Sequence, residues 1–171
     1  MHPIPWIAAL CAAALINGCQ ITHDGQSAES VMAVKAIYSD AICSLGSAGP
    51  EAVWLETNQA LEAQWKRLHS HRLGGSIPPA PLLEMDAFGF LLIRMGQKPT
   101  GGYGLELAQT EARVGADIAT VHVKWIRPSA RAMVAQVITS PCLLLQIKRG
   151  AYQTIKIVDQ SGRQRASIAL P

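Results

Sequence analysis

Apolar and polar positions alternate over much of the chain. Between 31 and 38, Met32, Val34, Ala36 and Tyr38 fall on one side and Val31, Ala33, Lys35 and Ile37 on the other, a period of two that predicts a strand. The cleanest alternation runs from 120 to 127. Val121, Val123 and Trp125 make one face, His122, Lys124 and Ile126 the other, and Pro128 ends the run because it has no N–H to give a ladder. Shorter strands are predicted over 52–55, 103–108, 134–138, 143–148, 152–158 and 165–170. The segment 88–95 is apolar almost throughout, as a strand buried on both faces would be.

One segment changes period. Leu61, Trp65 and Leu68 repeat at i, i+4 and i+7, which lines them along one face of a helix. Thr57 or Asn58 can cap its start, Glu62 and Lys66 form an i, i+4 pair, and Gly74-Gly75 can end it. The stretch 46–50 reads as a turn. So does Lys98 to Tyr103, where Pro99 sets φ and Gly101 and Gly102 permit positive φ. Residues 74–81 hold Pro78, Pro79 and Pro81 and form a surface loop. The pattern predicts a mainly β fold: a small antiparallel β-sandwich or barrel-like domain with one α-helix at about 57–70.

The N-terminus breaks this pattern. Ile4 to Ile16 is uncharged and about 13 residues long, or about 20 Å as a helix, too short for a hydrocarbon core of about 30 Å. It has the length of a signal-peptide apolar region. Leu15-Ile16-Asn17-Gly18-Cys19 resembles a bacterial lipobox, an aliphatic residue and a small residue placed before a cysteine. The resemblance implies removal of residues 1–18 and lipidation at Cys19. Residues 19–30 then form a polar, lipidated tether, and 31–171 a single β-rich domain. Gln20 follows the cysteine in place of the aspartate that retains some lipoproteins at the inner membrane, so the lipobox resemblance favours the outer membrane, on its periplasmic or surface face. The alternative is an ordinary secretory signal in which Cys19 is incidental.

Composition agrees with a folded domain: 49% of residues are hydrophobic and 16% charged. The net charge is +3 and the basic residues are scattered, which argues against nucleic acid. With Cys19 acylated, Cys43 and Cys142 remain as an even pair in an oxidising compartment. They form a disulfide, or else serve as two buried thiols.

No nucleophile elbow, phosphate-binding loop or dinucleotide fingerprint is present. His69 and His71 are two apart, so on a helix they point away from each other; solvated surface histidines are expected, not a metal site. His122 reads as a surface strand residue, and Glu84 with Asp86 as an ordinary pair of carboxylates. An enzyme would require a pocket drawing together groups such as Asp86, His122 and Arg127. No catalytic residue, metal or cofactor is expected.

Several motifs converge on one family. Gln64-Trp65-Lys66 stands late in the helix, and Asp86 and Phe88 open a strand. Gly96-Gln97-Lys98-Pro99-Thr100-Gly101-Gly102-Tyr103 follows, with Leu105 and Leu107 behind it. Arg127-Pro128 closes a strand and Val137-Ile138-Thr139-Ser140-Pro141 opens another. From about Trp65 to Pro141 the chain resembles the C-terminal domain of the PrcB family, a protease complex subunit of bacterial cell surfaces. Two positions depart from the family pattern: Cys142 stands where an aromatic is usual, and Ala87 separates Asp86 from Phe88. The resemblance implies a surface lipoprotein that associates with a protease or helps it mature, without itself cleaving anything. Pro99-Thr100-Gly101-Gly102-Tyr103 is also similar to an inhibitory loop of chagasin-type cysteine protease inhibitors.

The expected function is therefore a non-catalytic envelope lipoprotein that binds another protein, with Lys98, Pro99, Thr100, Gly101, Gly102 and Tyr103 as the partner-binding loop. A rigid Pro/Gly turn loses little entropy on binding, and a tyrosine supplies contact area. The alternatives are a protease inhibitor using the 99–103 loop and an enzyme of unrecognised type. For the loop itself, a plain hairpin turn with Tyr103 against a neighbouring strand is the other possibility.

Overall fold

The apolar runs fold as strands of one curved sheet. A computed structural model describes residues 29–43, 48–70, 76–82 and 84–171. The elements in chain order are β1 (Ser30–Asp40), β2 (Glu51–Leu55), α1 (Asn58–Leu68), β3 (Phe88–Arg94), β4 (Gly104–Leu107), β5 (Glu111–Gly115), β6 (Ile118–Ile126), β7 (Cys142–Lys148), β8 (Thr154–Val158) and β9 (Gln164–Ala169). The strands lie in the order β2-β3-β7-β1-β5-β6-β8-β9, with β4 paired to β6. β2 and β9 touch, so the sheet is a nearly closed barrel. Every ladder is antiparallel except β6–β8, which is parallel because the chain crosses to β7 between them.

Two hydrophobic clusters explain why β3 and β7 are apolar on both faces. Leu91, Ile93, Leu143, Leu145 and Ile147 point into the barrel, where they meet Val121, Val123, Trp125, Ile155 and Ile157. Phe90, Leu92 and Leu144 point outward against Leu61, Trp65 and Leu68 of α1. Period-two alternation thus persists, but both faces are covered. Each fully buried side chain of this size contributes about 1.5–3 kcal/mol relative to exposure.

The helix forms as its pattern predicts. Thr57 has extended dihedrals and its Oγ1 accepts from the Ala60 N–H at 3.1 Å. Glu62 and Lys66 are 2.8 Å apart on the exposed side. Trp65 Nε1 donates to the Pro78 carbonyl at 2.7 Å, which ties the proline-rich segment to the helix. Gly74 and Gly75 lie outside the described residues.

Three expectations are corrected. The segment 134–138 is not a strand. Its apolar residues do not alternate between a core and solvent; Val137 and Ile138 are exposed. A strand that was not expected, β5, pairs with β1 and β6. The β5–β6 turn places Ala116 and Asp117 at φ 48° and 61°, a left-handed pair for which Asn-Gly is the usual sequence signal. His69 is not a solvated surface residue but is buried. Its ring packs against those of Trp65 and Tyr38, centroids 4.5 and 4.8 Å away, and its Nδ1 lies 2.9 Å from the Trp65 carbonyl.

The β8–β9 connection is built on one carboxylate. Asp159 accepts from the Ser161 N–H at 2.8 Å, Ser161 Oγ at 2.6 Å, the Arg163 N–H at 3.0 Å and Arg165 Nε at 2.7 Å. Arg165 in turn lies over the Trp125 ring, 5.1 Å from its centroid.

Candidate functional site: a clamped loop beside an apolar strip

The loop from Gly96 to Tyr103 joins β3 to β4, which do not pair with each other. It is therefore not a hairpin turn. It spans from one side of the barrel to another and is held by a second loop, residues 127–141. Met95 N–H donates to the Pro141 carbonyl at 2.9 Å. Lys98 and Thr139 exchange backbone hydrogen bonds at 2.8 and 2.9 Å. Thr139 Oγ1 donates to the Thr100 carbonyl at 2.8 Å, and Gly101 N–H to the Ala135 carbonyl at 2.8 Å. Five hydrogen bonds from one direction leave the loop little freedom.

Glycine is needed at Gly102. Its φ is +81°, and a Cβ there would lie 3.0 Å from both Pro128 Cβ and Val134 Cγ1. Gly101 has no such requirement: the nearest atom to a Cβ would be the Ala135 carbonyl oxygen at 3.6 Å. Tyr103 is half-buried and packs on the barrel core, so it anchors the loop instead of projecting from it. Pro99 and Gly102 are exposed, while Lys98, Thr100 and Gly101 are half-buried.

The clamp is itself tied down. Cys43 and Cys142 form a disulfide. Cys43 N–H donates to the Ser140 carbonyl at 3.1 Å and Ser140 N–H to the Ala41 carbonyl at 2.9 Å. Thus the end of β1 holds 140–142, and 139–141 holds the loop.

What the two loops present outward is apolar and basic. Met133 is fully exposed, at 102%, and Ile138 at 61%. A shallow cavity of about 310 Å³ is lined by Gln97, Lys98, Pro99 and Ile138. Burial, reinforced by the neighbouring Arg127 cation, holds the Lys98 ammonium below its usual range. The 127–139 half of this face was not expected from sequence. Its apolar residues at 134, 137 and 138 read from sequence as a short strand over 134–138, and so gave no sign of a contact face.

The other residues weighed from sequence do not converge. Asp86 is exposed beside a cavity lined by Glu56, Thr57, Met85 and Arg149, which neither His122 nor Arg127 reaches. His122 is half-buried on β6, opposite Val158 of β8. Glu84 is exposed. Among the described residues, no three His, Cys, Asp or Glu side chains form a metal-binding group. Also among them, no helix is long and apolar enough to cross a membrane. Cys19, His71 and the segments 1–18 and 19–28 lie outside the described residues.

The class defined by these features is a small, nearly closed β-barrel with one flanking helix and a clamped Pro/Gly loop at its rim. Residues 90–148 match the family model described as PrcB C-terminal. The match runs from β3 through β7 and contains both the loop and its clamp. It begins later than the resemblance read from Trp65, so Gln64-Trp65-Lys66, Asp86 and Phe88 fall outside it. No curated protein and no solved structure matches the chain, and the similarity to chagasin-type inhibitors gains no support.

Proposed function

We propose that this protein is a non-catalytic envelope lipoprotein that serves as an accessory subunit of a surface protease, contacting its partner through the face made by residues 97–103 and 131–138. One observation carries the reading. The loop shared with the PrcB C-terminal family is immobilised by hydrogen bonds from 135–141, yet it sits beside side chains, Met133 and Ile138, that stabilise nothing inside the barrel. A preorganised edge with exposed apolar anchors is suited to protein contact because little entropy remains to be lost on binding. The lipobox-like segment ending at Cys19 supplies the anchor in this reading, at the outer membrane.

The test is a crosslinking pull-down from native membranes with the intact protein and with the variant Pro99→Ser, Met133→Ser, Ile138→Ser. All three side chains are exposed, so the variant keeps the fold. A protease complex captured by the intact protein and lost by the variant is the expected result. Equal capture by both removes the face from the proposal. In the same cells Cys19→Ser is expected to move the protein from the membrane to the soluble fraction, and retention there would exclude a lipid anchor at Cys19.

A further inference from the structure

The methionines of this chain differ sharply in what covers them. All but Met1 lie among the described residues. Met95 is fully buried in the barrel, and Met32 and Met85 are partly buried against the two hydrophobic clusters. Met133, by contrast, is fully exposed. The residues that follow it are pinned to the loop. Val134 packs down on Gly102, its Cγ1 3.0 Å from where a Cβ would sit, and the Ala135 carbonyl accepts from the Gly101 N–H at 2.8 Å. Val134 and Ala135 therefore fix Met133 beside the loop, with its thioether open to water.

A thioether takes an oxygen atom from peroxides and becomes a sulfoxide, and exposure decides which sulfur reacts. Among the described residues no thiol competes, because Cys43 and Cys142 are joined and fully buried. We propose that Met133 is a site of reversible oxidation by hydrogen peroxide, and that its sulfoxide releases the partner from this face. In that step the peroxide O–O bond breaks and an S–O bond forms. Sulfur gives up two electrons and keeps one oxygen, and the other oxygen leaves as water with both hydrogens. The product is polar and chiral where the contact uses a flexible apolar side chain. The fold does not register the change, since Met133 belongs to neither hydrophobic cluster. The release rests on the reading of this face as a protein contact; the selectivity of the oxidation does not.

The experiment treats purified full-length protein with increasing hydrogen peroxide, removes the peroxide, and maps a portion by reduction, alkylation and trypsin. Cleavage after Lys35, Arg94, Arg131 and Lys148 puts Met32, Met85, Met95 and Met133 on four different peptides. The 132–148 peptide is expected to gain one oxygen before the others, with Tm unchanged. Oxidation of Met32 or Met85 as fast as Met133 overturns the site. The remainder serves as bait in the pull-down from native membranes, beside peroxide-treated Met133→Leu, which is apolar and has no sulfur, and beside the Pro99→Ser, Met133→Ser, Ile138→Ser variant. Capture of the protease complex is expected to fall about five-fold or more on oxidation, the size of losing one interface anchor. Methionine sulfoxide reductases are expected to restore it, and Met133→Leu to keep it through peroxide. Loss of capture by treated Met133→Leu overturns Met133 as the switch. If the oxidised parent captures as well as the untreated one while the serine variant does not, the release is overturned and the contact face stands. If oxidation and the serine variant both leave capture unchanged, or the untreated protein captures no protease complex, release and face fall together.

Discussion

Substituting alanine at the two adjacent glycines of the loop separates a structural requirement from a sequence coincidence. Gly102 sits at φ +81°, where alanine costs about 1–2 kcal/mol for its Cβ alone. The new methyl also meets Pro128 Cβ and Val134 Cγ1 at 3.0 Å. Both are side-chain atoms able to give by a few tenths of an ångström, so this adds about 1 kcal/mol, the low end of overpacking. Gly102→Ala is therefore expected to lose about 2–3 kcal/mol, or about 4–12 °C in Tm for a domain of this size. Gly101→Ala has an ordinary φ, and its methyl comes no closer than 3.6 Å to the Ala135 carbonyl oxygen. Its N–H still reaches that oxygen, and the stiffer unfolded chain favours the variant by up to about 1 kcal/mol. Urea denaturation of the two variants beside the parent measures the contrast directly. Equal losses, or a larger loss at Gly101, would refute the clamp geometry, because then the 128–135 segment does not lie over Gly102.

Two further perturbations test other tethers of the fold. Asp159 is held well below the usual carboxylate range by hydrogen bonds, that from the Ser161 hydroxyl foremost, then the Ser161 and Arg163 amides and Arg165, against the opposing cost of burial. Its folded pKa lies below the unfolded value of about 3.9, so its contribution is complete above that pH and is lost as pH falls toward the folded value. Asp159→Asn is expected to cost about 3–5 kcal/mol at pH 7, since it leaves Arg165 unpaired, and to flatten the loss of stability measured between pH 5 and 2; an unchanged acid limb would contradict this role. Replacing Cys43 and Cys142 with alanine opens a loop with a sequence separation of 99 and is expected to remove up to about 4–5 kcal/mol. Hydrogen exchange at the Lys98 and Thr139 amides should then accelerate more than at β8, and uniform acceleration would mean the disulfide stabilises the barrel without steadying the loop.

Period was the legible part of this sequence. β1, β2, β3, β4, β6, β7 and the helix stripe Leu61, Trp65 and Leu68 follow from alternation or helical spacing, because each side chain's face is set locally. The disulfide followed from pairing the cysteines left once Cys19 was assigned to lipid, and the structure joins Cys43 to Cys142. β5 was hidden because Ala116 and Asp117 make the left-handed turn without Asn-Gly, so no hairpin was announced. The stretch 134–138 misled for the opposite reason. Its residues are apolar enough for a strand, but their backbone is spent on the neighbouring loop: the Ala135 carbonyl goes to Gly101 and Thr139 to Lys98 and Thr100. His69 was misplaced because its burial depends on Tyr38, which arrives from β1 about 30 residues earlier in the chain.

The same dependence on distant segments accounts for the candidate site being only half visible. The loop 96–103 stands out locally, by its Pro and Gly residues, whereas its clamp is recognisable only when β7 is seen to start at Cys142 and β1 to end at Asp40. β7 contributes to both clusters of the fold from its two faces, so the residues just before it inherit a fixed position from a strand buried on both sides. A barrel needs 139–141 for closure of that corner, but nothing in the barrel needs Met133 or Ile138 to be apolar, since neither contributes to a core. Serine or lysine at those positions would leave the fold's own energetics unchanged. Their hydrophobicity, set on a support held rigid by backbone hydrogen bonds, is therefore explained by what the surface meets and not by what the surface covers.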